Sequence, residues 1–308
     1  MKFSIAIHGG AGTLVKGMMT PELESRYKAD LEKALDAGYD LLAQGKTAVD
    51  AVEAAVKLLE DSPLFNAGKG SVFTADETHE MDASIMEGKN LNAGAVSLIS
   101  GIKNPISLAR DIMEKSEHVF LAGEGAMTFA KMNGYTQEPE SYFYDKLRHE
   151  QWLEIKDTDR FQLDHSASKD SKFGTVGAVA CDKNGDVAAA TSTGGMTNKR
   201  FGRIGDSSMI GAGNYANNET CAVSCTGSGE YFIRGVVAYD VACLIEHKGY
   251  SLQQASDEVI NKRILKIGGD GGLIAVNAKG DIAMPFNTEG MYRASRDSDG
   301  KKEVSIYR

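Results

Sequence analysis

Several features are missing from this 308-residue sequence, and each absence excludes a class of protein. No window approaches the roughly 18 consecutive apolar residues that a membrane-spanning helix needs, so we expect no membrane partner. No cluster of lysine and arginine with interleaved aromatic residues occurs, and the formal net charge is −9, so we expect no nucleic-acid partner. The apolar run near the start is too short for the core of a signal peptide, which predicts a cytoplasmic location.

Cysteine is also scarce, with four residues in the chain. None forms a CxxC pair, and no histidine lies beside one at the spacing of a zinc site. The surroundings are apolar for all four, which are Cys181, Cys221, Cys225 and Cys243. We predict buried free thiols rather than disulfides or metal ligands.

The first half of the chain mixes predicted helices and short strands. Apolar residues recur at helical spacing over residues 21–44 and 47–60, and Thr47 with Asp50 forms a capping signal. The other predicted helices are 104–116, 124–133 and part of 141–155, and the predicted strands are 3–7, 80–86 and 94–100. Charged residues without periodicity then fill residues 156–174, which predicts a flexible linker.

The second half contains two strand–turn–strand patterns, and it begins with the first of them. Their turns lie at Asn184-Gly185 and near Lys279-Gly280, and helical patterns occupy 230–247 and 252–265 between them. The strands are apolar on both faces, which is typical of strands covered on both sides. Because tight hairpins demand antiparallel pairing, we predict an α+β fold. It is a four-layer αββα sandwich, with two mainly antiparallel sheets between helical layers, in a single domain over residues 1–308.

Two glycine-rich motifs match known signatures only in part. NAGKGS resembles a phosphate-binding loop, but glycine rather than serine or threonine follows Lys69 and the upstream spacing is wrong. HGGAG, at residues 8–12, resembles the oxyanion loop of lipase-like hydrolases, whose G-x-S-x-G the sequence lacks. Two interpretations of HGGAG stay open: a turn that allows close packing, and a backbone wall beside an active site.

The pair Gly174-Thr175 stands where the charged segment ends and the first strand of the second half begins. A threonine hydroxyl is a weak nucleophile unless a base lies beside it. The threonine's own α-amine, with a pKa of about 8, is one such base. That amine exists only if the chain is cut after Gly174, whose carbonyl is open to attack. The alternative is a threonine that merely begins a hairpin.

Pairing across the Asn184-Gly185 turn brings a second set of hydroxyls to Thr175. With the shortest loop Thr175 faces Gly194, and with one more loop residue it faces Thr193. Either register places TSTGG, residues 191–195, beside Thr175. A hydroxyl there could orient the nucleophile, and the glycines leave room for a substrate.

Two further motifs supply groups that would bind and stabilise a substrate. GRIGD presents Arg203 and Asp206, which complement the α-carboxylate and α-amine of an amino acid. The alternative for this pair is a surface salt bridge. SCTGSGE passes through Thr226-Gly227 into a predicted helix, where a hydroxyl and backbone N–H groups could stabilise an oxyanion.

Taken together, the motifs resemble the plant-type (type III) L-asparaginase/isoaspartyl peptidase family of N-terminal-nucleophile hydrolases. The likeness runs from Ile5 to Arg293, nearly the whole chain. It is carried, in chain order, by HGGAG, FNAGKG, GTVGAVA, TSTGGMTNK, GRIGDS, GAGNYANN, SCTGSGE and PFNTEGMYR. One departure is Arg200-Phe201, in a stretch that often contains Leu-Pro in the family, and it is expected to alter the rim of the pocket.

The resemblance implies a precursor that cuts itself between Gly174 and Thr175 into an α-chain, 1–174, and a β-chain, 175–308. The expected assembly is a homodimer of αβ units. The implied roles are Thr175 as nucleophile, Thr193 as its hydrogen-bonding partner, Thr226 and Gly227 as the oxyanion site, Arg203 and Asp206 as substrate ligands, Gly229 as pocket lining and Asn66 near the nucleophile. No catalytic cofactor is implied. The resemblance does imply a structural sodium loop, in which the ion is bound mainly by backbone carbonyls. Its residues are Leu59, Glu60, Ser62, Phe65, Ala67 and Lys69.

The expected activity is hydrolysis of β-aspartyl (isoaspartyl) dipeptides and L-asparagine, with release of L-aspartate. One alternative is a glycosylasparaginase of the same superfamily, which removes sugar from N-linked asparagine. A second alternative, from another class, is a protein on the same scaffold that binds an amino acid without turning it over.

Overall fold

The computed structural model describes residues 2–158 and 174–308. The predicted linker, 156–174, lies mostly outside these residues. The strands are β1 (Ser4–Gly12), β2 (Met81–Glu87), β3 (Ala93–Ile99), β4 (Phe120–Ala122), β5 (Val176–Cys181), β6 (Val187–Thr193), β7 (Asn214–Ala216), β8 (Ala222–Gly227), β9 (Gly271–Val276), β10 (Ile282–Ala283), β11 (Gly290–Asp297) and β12 (Lys302–Tyr307).

The strands form two sheets. The larger has eight strands in the order β12-β11-β1-β5-β6-β2-β3-β4, and the smaller has four in the order β10-β9-β8-β7. Every neighbouring pair is antiparallel except β3 with β4. The prediction of two mainly antiparallel sheets is therefore confirmed.

Helices occupy the outer layers. They are α1 (Pro21–Ala43), α2 (Ala48–Glu60), α3 (Pro105–Lys115), α4 (Gly123–Met132), α5 (Glu140–Phe143), α6 (Lys146–Ile155), α7 (Gly229–Gly235), α8 (Val237–Lys248) and α9 (Leu252–Glu258). The start of α2 follows from its sequence. The Thr47 hydroxyl accepts from Asp50 N at 3.1 Å, and an Asp50 carboxylate oxygen accepts from Thr47 N at 3.2 Å. This reciprocal capping box is the one predicted.

Three apolar clusters separate the four layers. The first packs α1, α2 and α3 against the outer face of the larger sheet, around Ile5 and Leu59. The second packs α7, α8 and α9 against the outer face of the smaller sheet, around Leu273. The third lies between the sheets, around Val179 and Ile274. The αββα order of layers is confirmed, and both faces of each central strand are buried.

The hairpin of β5 and β6 fixes the position of Thr175. Val176 pairs with Ser192, so the longer of the two predicted loops is present and Thr175 lies opposite Thr193. The reason is the side chain of Asp182, which accepts from two backbone N–H groups of the turn, at 2.8 and 3.2 Å. These bonds stabilise a three-residue loop.

The glycine-rich segment at the start was predicted as a turn, and this is wrong. HGGAG continues β1, with a bulge between His8 and Gly10, because its last three residues pair with β11 from Gly290 to Tyr292. The strand therefore extends five residues further than the apolar run suggests.

Two predicted helices are interrupted. The helix predicted over 230–247 breaks at Val236, whose backbone is left-handed at φ 47°. After the break, the N–H groups of Ala238 and Tyr239 donate to the carbonyl oxygens of Ala212 and Gly211, so they do not continue the hydrogen bonding of the preceding helix. The segment predicted over 252–265 is α9 followed by a π-helical stretch, Val259–Ile264.

The four cysteines carry free thiols, as predicted. Three are buried, whereas Cys243 is only half-buried. Across residues 2–158 and 174–308, we find no helix with the length and apolar character needed to cross a bilayer.

Candidate active site

A cavity lies at the head of β5, where the two central sheets meet the loops after β6. It collects seven of the residues predicted from sequence: Asn66, Gly174, Thr175, Thr193, Arg203, Asp206 and Gly227. Thr226 and Gly229 do not line the cavity, but each lies close to a residue that does, Thr226 to Gly174 and Gly229 to Asp206. Segments distant in sequence therefore converge on Thr175.

Thr175 is buried, and the hydrogen-bond partner of its hydroxyl is a residue that sequence reasoning missed. The Oγ1 atom lies 3.2 Å from the Oγ of Ser207, which also lines the cavity. Ser207 directly follows Asp206 in the motif GRIGDS, so its motif was noticed. The contact of Ser207 with Thr175 depends on how that loop folds back over β5. The spacing of residues in the sequence does not indicate this path.

Glycine is required at Gly174 because two backbones meet there. A β-carbon built on Gly174 would lie 2.5 Å from the Cα of Gly10. One built on Gly10, whose φ is +112°, would lie 2.7 Å from the Cα of Gly174. HGGAG is therefore a strand rather than a turn, but it does permit close packing, and the packing is against the residue that precedes Thr175.

Thr226 offers an unused hydroxyl beside Gly174. Its Oγ1 is fully buried and has no hydrogen-bond partner among the described residues. A β-carbon built on Gly174 would lie 2.7 Å from this oxygen. A buried donor without a partner is costly unless another state of the site uses it. Such a donor suits negative charge that develops on a carbonyl oxygen nearby.

Asn66 and Thr193 hold the loop that follows β6. The side-chain amide of Asn66 donates to Gly195 O at 2.7 Å, and its oxygen accepts from Val72 N at 3.1 Å. Gly194 N donates to Asn66 O at 3.1 Å. The Thr193 hydroxyl accepts from Gly195 N at 3.0 Å. Asn66 lines the same cavity as Thr175, and its side chain is engaged in shaping the loop.

Arg203 already holds a carboxylate in the structure. Its Nε and Nη2 atoms donate to the two carboxylate oxygens of Glu230, at 2.8 and 3.0 Å. Burial alone raises the pKa of Glu230, but the hydrogen bonds and charge of Arg203 outweigh it and the pKa is lowered overall. Arg203 therefore does form an ion pair, but its partner is Glu230 rather than the Asp206 of its own motif, and the arginine lines the cavity. Glu230, the last residue of SCTGSGE, was not predicted as a site residue.

Asp206 is a buried carboxylate with a free oxygen. Its Oδ2 has no hydrogen-bond partner among the described residues. Burial raises the pKa of Asp206 to about 7, against the lowering effect of the Arg203 charge. The absence of a side chain at Gly229 makes room, since a β-carbon there would lie 2.9 Å from Asp206 Oδ1. A cationic amine in the cavity would satisfy the unused oxygen and favour the carboxylate form.

The turn just before Arg203 contains the departure from the family pattern, Arg200-Phe201. Arg203 N donates to Arg200 O at 3.0 Å, and the two residues between them have positive φ, 58° at Phe201 and 64° at Gly202. This is a type I′ turn, whose first central position favours asparagine, aspartate or glycine. Phe201 occupies that position with 99% of its surface exposed. Neither Arg200 nor Phe201 lines the cavity, Arg203 does, and an effect of the departure on the rim stays a prediction.

We expect the replacement Phe201→Asn to stabilise the protein by about 0.5–1 kcal/mol, because asparagine tolerates the left-handed backbone that phenylalanine does not. No packing is lost, since Phe201 contacts little. The thermal unfolding midpoint should rise by about 1–3 °C. Phe201→Leu is the matched control, because it keeps the strained backbone, and it should leave the midpoint unchanged. A fall of the midpoint in Phe201→Asn would contradict this account of the turn.

The predicted sodium loop, residues 59–69, folds around its own carbonyl groups. The oxygens of Leu59 and Phe65 accept backbone hydrogen bonds within the segment, and that of Ala67 accepts one from Gly70, just beyond it. The oxygens of Phe65 and Ala67 each keep a second lone pair. Gly68, at φ +53°, allows the loop to close, because a β-carbon there would lie 2.4 Å from Glu60 O. Main-chain oxygens gathered in this way are ligands that suit a hard cation. The residues present therefore fit the predicted ion.

The side chains of the same loop are engaged elsewhere. The Glu60 carboxylate accepts from Ser192 Oγ at 2.6 Å and from Ile106 N at 3.0 Å, and burial raises its pKa to about 8. Ser62 donates to Asp30 at 2.6 Å. No group of three or more histidine, cysteine, aspartate or glutamate side chains that could hold a metal occurs in the described part of the chain.

The four-layer sandwich, with a threonine at the head of a central strand, is the fold class of the N-terminal-nucleophile hydrolases. Within that class, the chain belongs to the asparaginase family, whose model matches residues 1–306. The resemblance read from the motifs is thereby confirmed.

Curated relatives cover the whole chain. An isoaspartyl peptidase of Escherichia coli is 49% identical over 310 residues, which is 100% of this chain and 97% of the relative. An isoaspartyl peptidase/L-asparaginase of Xenopus laevis is 44% identical, over 100% of this chain and 96% of the relative. A plant-type L-asparaginase of Pyrococcus horikoshii is 43% identical, over 98% of this chain and 99% of the relative.

Proposed function

We propose that this protein is an amidohydrolase that cleaves β-aspartyl (isoaspartyl) dipeptides and L-asparagine and releases L-aspartate. The observation that carries the proposal is the convergence, in one cavity, of Thr175 with Arg203 and Asp206. The names of the full-length relatives support the same substrates.

The active form would arise by a cut between Gly174 and Thr175. The cut frees the α-amine of Thr175, which has a pKa of about 8 in an ordinary amino terminus and can act as a general base. The α-chain would contain residues 1–174 and the β-chain residues 175–308. The close contact of Gly10 with Gly174 supports a role for HGGAG in holding the bond to be cut.

In the mature enzyme, the substrate's α-carboxylate would bind Arg203 and its α-amine would bind Asp206. The Thr175 hydroxyl then attacks the side-chain carbonyl carbon, and its proton passes to the Thr175 amine. Thr226 and the backbone at Gly227 would stabilise the oxyanion. The amide C–N bond breaks as the leaving nitrogen takes that proton, and water then cleaves the acyl ester to release aspartate.

Three features of the assembled protein belong to the same proposal. The αβ units would pair as a homodimer in the cytoplasm. Main-chain oxygens of the loop 59–69 would hold a structural sodium ion, which would stiffen the segment before Asn66. No catalytic metal or other cofactor takes part in the mechanism that we propose.

The proposal is tested by intact-mass measurement together with three assays. Purified protein should give two masses that correspond to residues 1–174 and 175–308. A β-aspartyl dipeptide and L-asparagine should be hydrolysed, and a glycosyl-asparagine should not. Preferred turnover of the glycosyl substrate would point to the glycosylasparaginase alternative. A single uncut chain that binds aspartate without turnover would point to the binding protein.

Asp206 predicts how substrate binding depends on pH. The unliganded carboxyl has a pKa of about 7, and only its ionised form attracts the substrate's cationic amine. Affinity for L-aspartate, measured calorimetrically, should therefore be constant above pH 7 and fall about tenfold for each pH unit below it. Asp206→Asn should bind weakly and show no such step. A flat wild-type profile between pH 5.5 and 8 would contradict this role.

A further inference from the structure

The maturation step lacks the base that the mature enzyme uses. In the uncut chain the nitrogen of Thr175 belongs to a peptide bond, so it has no lone pair with which to accept a proton. Another group must orient the Thr175 hydroxyl toward the carbonyl of Gly174. The hydroxyl of Thr193, the partner implied by the resemblance, accepts from Gly195 N, and the hydrogen bonds of the described residues include none between Thr193 and the Thr175 hydroxyl.

Ser207 is placed to supply this orientation. Its Oγ lies 3.2 Å from Thr175 Oγ1, and the two form a hydrogen bond between buried side chains. Either hydroxyl can be the donor. When the Thr175 hydroxyl donates to Ser207, a lone pair of Thr175 Oγ1 is left free to attack. A neutral serine is too weak a base to keep the proton, so its contribution is geometric.

Buried hydroxyl groups on strands of the larger sheet hold the loop that contains Ser207. Ser84, on strand β2, donates to Ser207 O at 2.6 Å. The neighbouring Ser208 forms a 2.7 Å hydrogen bond with Ser97, on strand β3. The Asn214 side chain donates to Ser84 O at 3.2 Å, which ties the second sheet to the same point. These bonds hold the Ser207 backbone rigidly beneath the head of β5.

We propose that Ser207 is a positioning residue for the nucleophile, and that it matters more for self-cleavage than for turnover. In the cleavage step, the bond from Thr175 Oγ1 to the Gly174 carbonyl carbon forms and the peptide C–N bond breaks. The hydroxyl proton ends on the departing nitrogen, which becomes the α-amine. Water then hydrolyses the ester, leaving a carboxylate on Gly174 and restoring the hydroxyl. The inference rests on the proposed function.

The difference between the two steps follows from what the cut creates. After cleavage, the free α-amine is itself a base and a hydrogen-bond partner for the Thr175 hydroxyl. Ser207 then shares the task of orientation, whereas in the uncut chain it is the one hydrogen-bond partner of the Thr175 hydroxyl among residues 2–158 and 174–308. Loss of its hydroxyl should therefore slow maturation by more than it slows turnover.

The test follows maturation of newly synthesised Ser207→Ala in a cell-free system, by intact mass over time. We expect cleavage to slow at least about tenfold, and kcat/KM of the matured variant on L-asparagine to fall by no more than about threefold. Ser208→Ala is the matched control, because Ser208 is equally buried, hydrogen-bonded and adjacent, but its described hydrogen bond goes to Ser97 rather than to Thr175. It should mature within about twofold of wild type. Ser207→Thr keeps the hydroxyl and should recover most of the lost maturation rate.

The outcomes separate this inference from the proposed function. Wild-type maturation speed in Ser207→Ala would overturn the role of Ser207, as would equal slowing in Ser208→Ala. A kcat/KM loss as large as the loss of maturation rate would overturn the preference for the cleavage step. Wild-type protein that never cuts at Gly174-Thr175 would instead overturn the proposed function itself. Thermal unfolding midpoints of all variants establish that the compared proteins are folded.

Discussion

Thr175→Ala is expected to remain a single uncut chain with no hydrolytic activity. In the mechanism that we propose, the replacement removes the hydroxyl that attacks Gly174 during maturation and the nucleophile that attacks the substrate afterwards. Both functions depend on one atom, Thr175 Oγ1, so no second residue of the cavity can restore them. We expect kcat to fall on the order of 10⁵-fold or more, the scale seen when an enzyme loses its nucleophile.

Thr175→Ser is the control for this result. It keeps a hydroxyl at the same position and loses only the methyl group, so it should cut itself and turn over substrate, although more slowly. Intact mass and assays on L-asparagine would follow both variants. Spontaneous cleavage at residue 174 in Thr175→Ala, or residual turnover within about a hundredfold of wild type, would show that another group is the nucleophile.

The sequence predicted those parts of the fold that short-range chemistry determines. The capping box of Thr47 and Asp50 defined the start of α2, and apolar residues on both faces of β5 indicated a strand covered by two layers. The hairpin register was narrowed to two choices. The register present is the one with the longer loop, which hydrogen bonds from the turn to the Asp182 side chain stabilise. Composition does not indicate so small a local contribution to the energy.

The errors occurred where a distant segment decides the local structure. Val236 breaks a helix whose residue pattern is continuous, and the amides that follow it donate to Ala212 and Gly211. HGGAG has the composition of a turn, yet it pairs with β11 as a strand. In both cases tertiary hydrogen bonds outweigh local preference, and their partners lie too far along the chain for any pattern to indicate them.

The site was predictable as a set of residue types and not as a set of contacts. Motifs identified Thr175, Arg203 and Asp206, and all three line one cavity. Ser207 and Glu230, which hydrogen-bond to Thr175 and Arg203, belong to the motifs GRIGDS and SCTGSGE. Nothing in the sequence distinguishes them from other residues of these motifs. A serine and a glutamate in a loop are ordinary residues until the fold brings them within hydrogen-bond distance.

Arg203→Ala is expected to mature normally and to lose most of its affinity for substrate. The substrate's α-carboxylate would enter the cavity without its cationic partner, and an unpaired carboxylate out of water costs several kcal/mol. We expect kcat/KM on L-asparagine to fall about 100-fold or more, chiefly through KM. Intact mass would verify that the cut at Gly174 is unaffected, because the side-chain hydrogen bonds described for Arg203 go to Glu230 and not to Thr175.

Loss of Arg203 should act on Asp206 as well. The arginine charge lowers the pKa of that carboxyl, so its removal should move the pH step of aspartate binding above pH 7.

Arg203→Lys should restore only part of the affinity, because a point charge cannot hold a carboxylate through two parallel bonds. Glu230→Gln keeps the arginine and releases it from its ion pair, so its effect on kcat/KM should be far smaller than that of Arg203→Ala. Near-normal kinetics in Arg203→Ala would remove Arg203 from the substrate site and leave its pair with Glu230 as a structural contact.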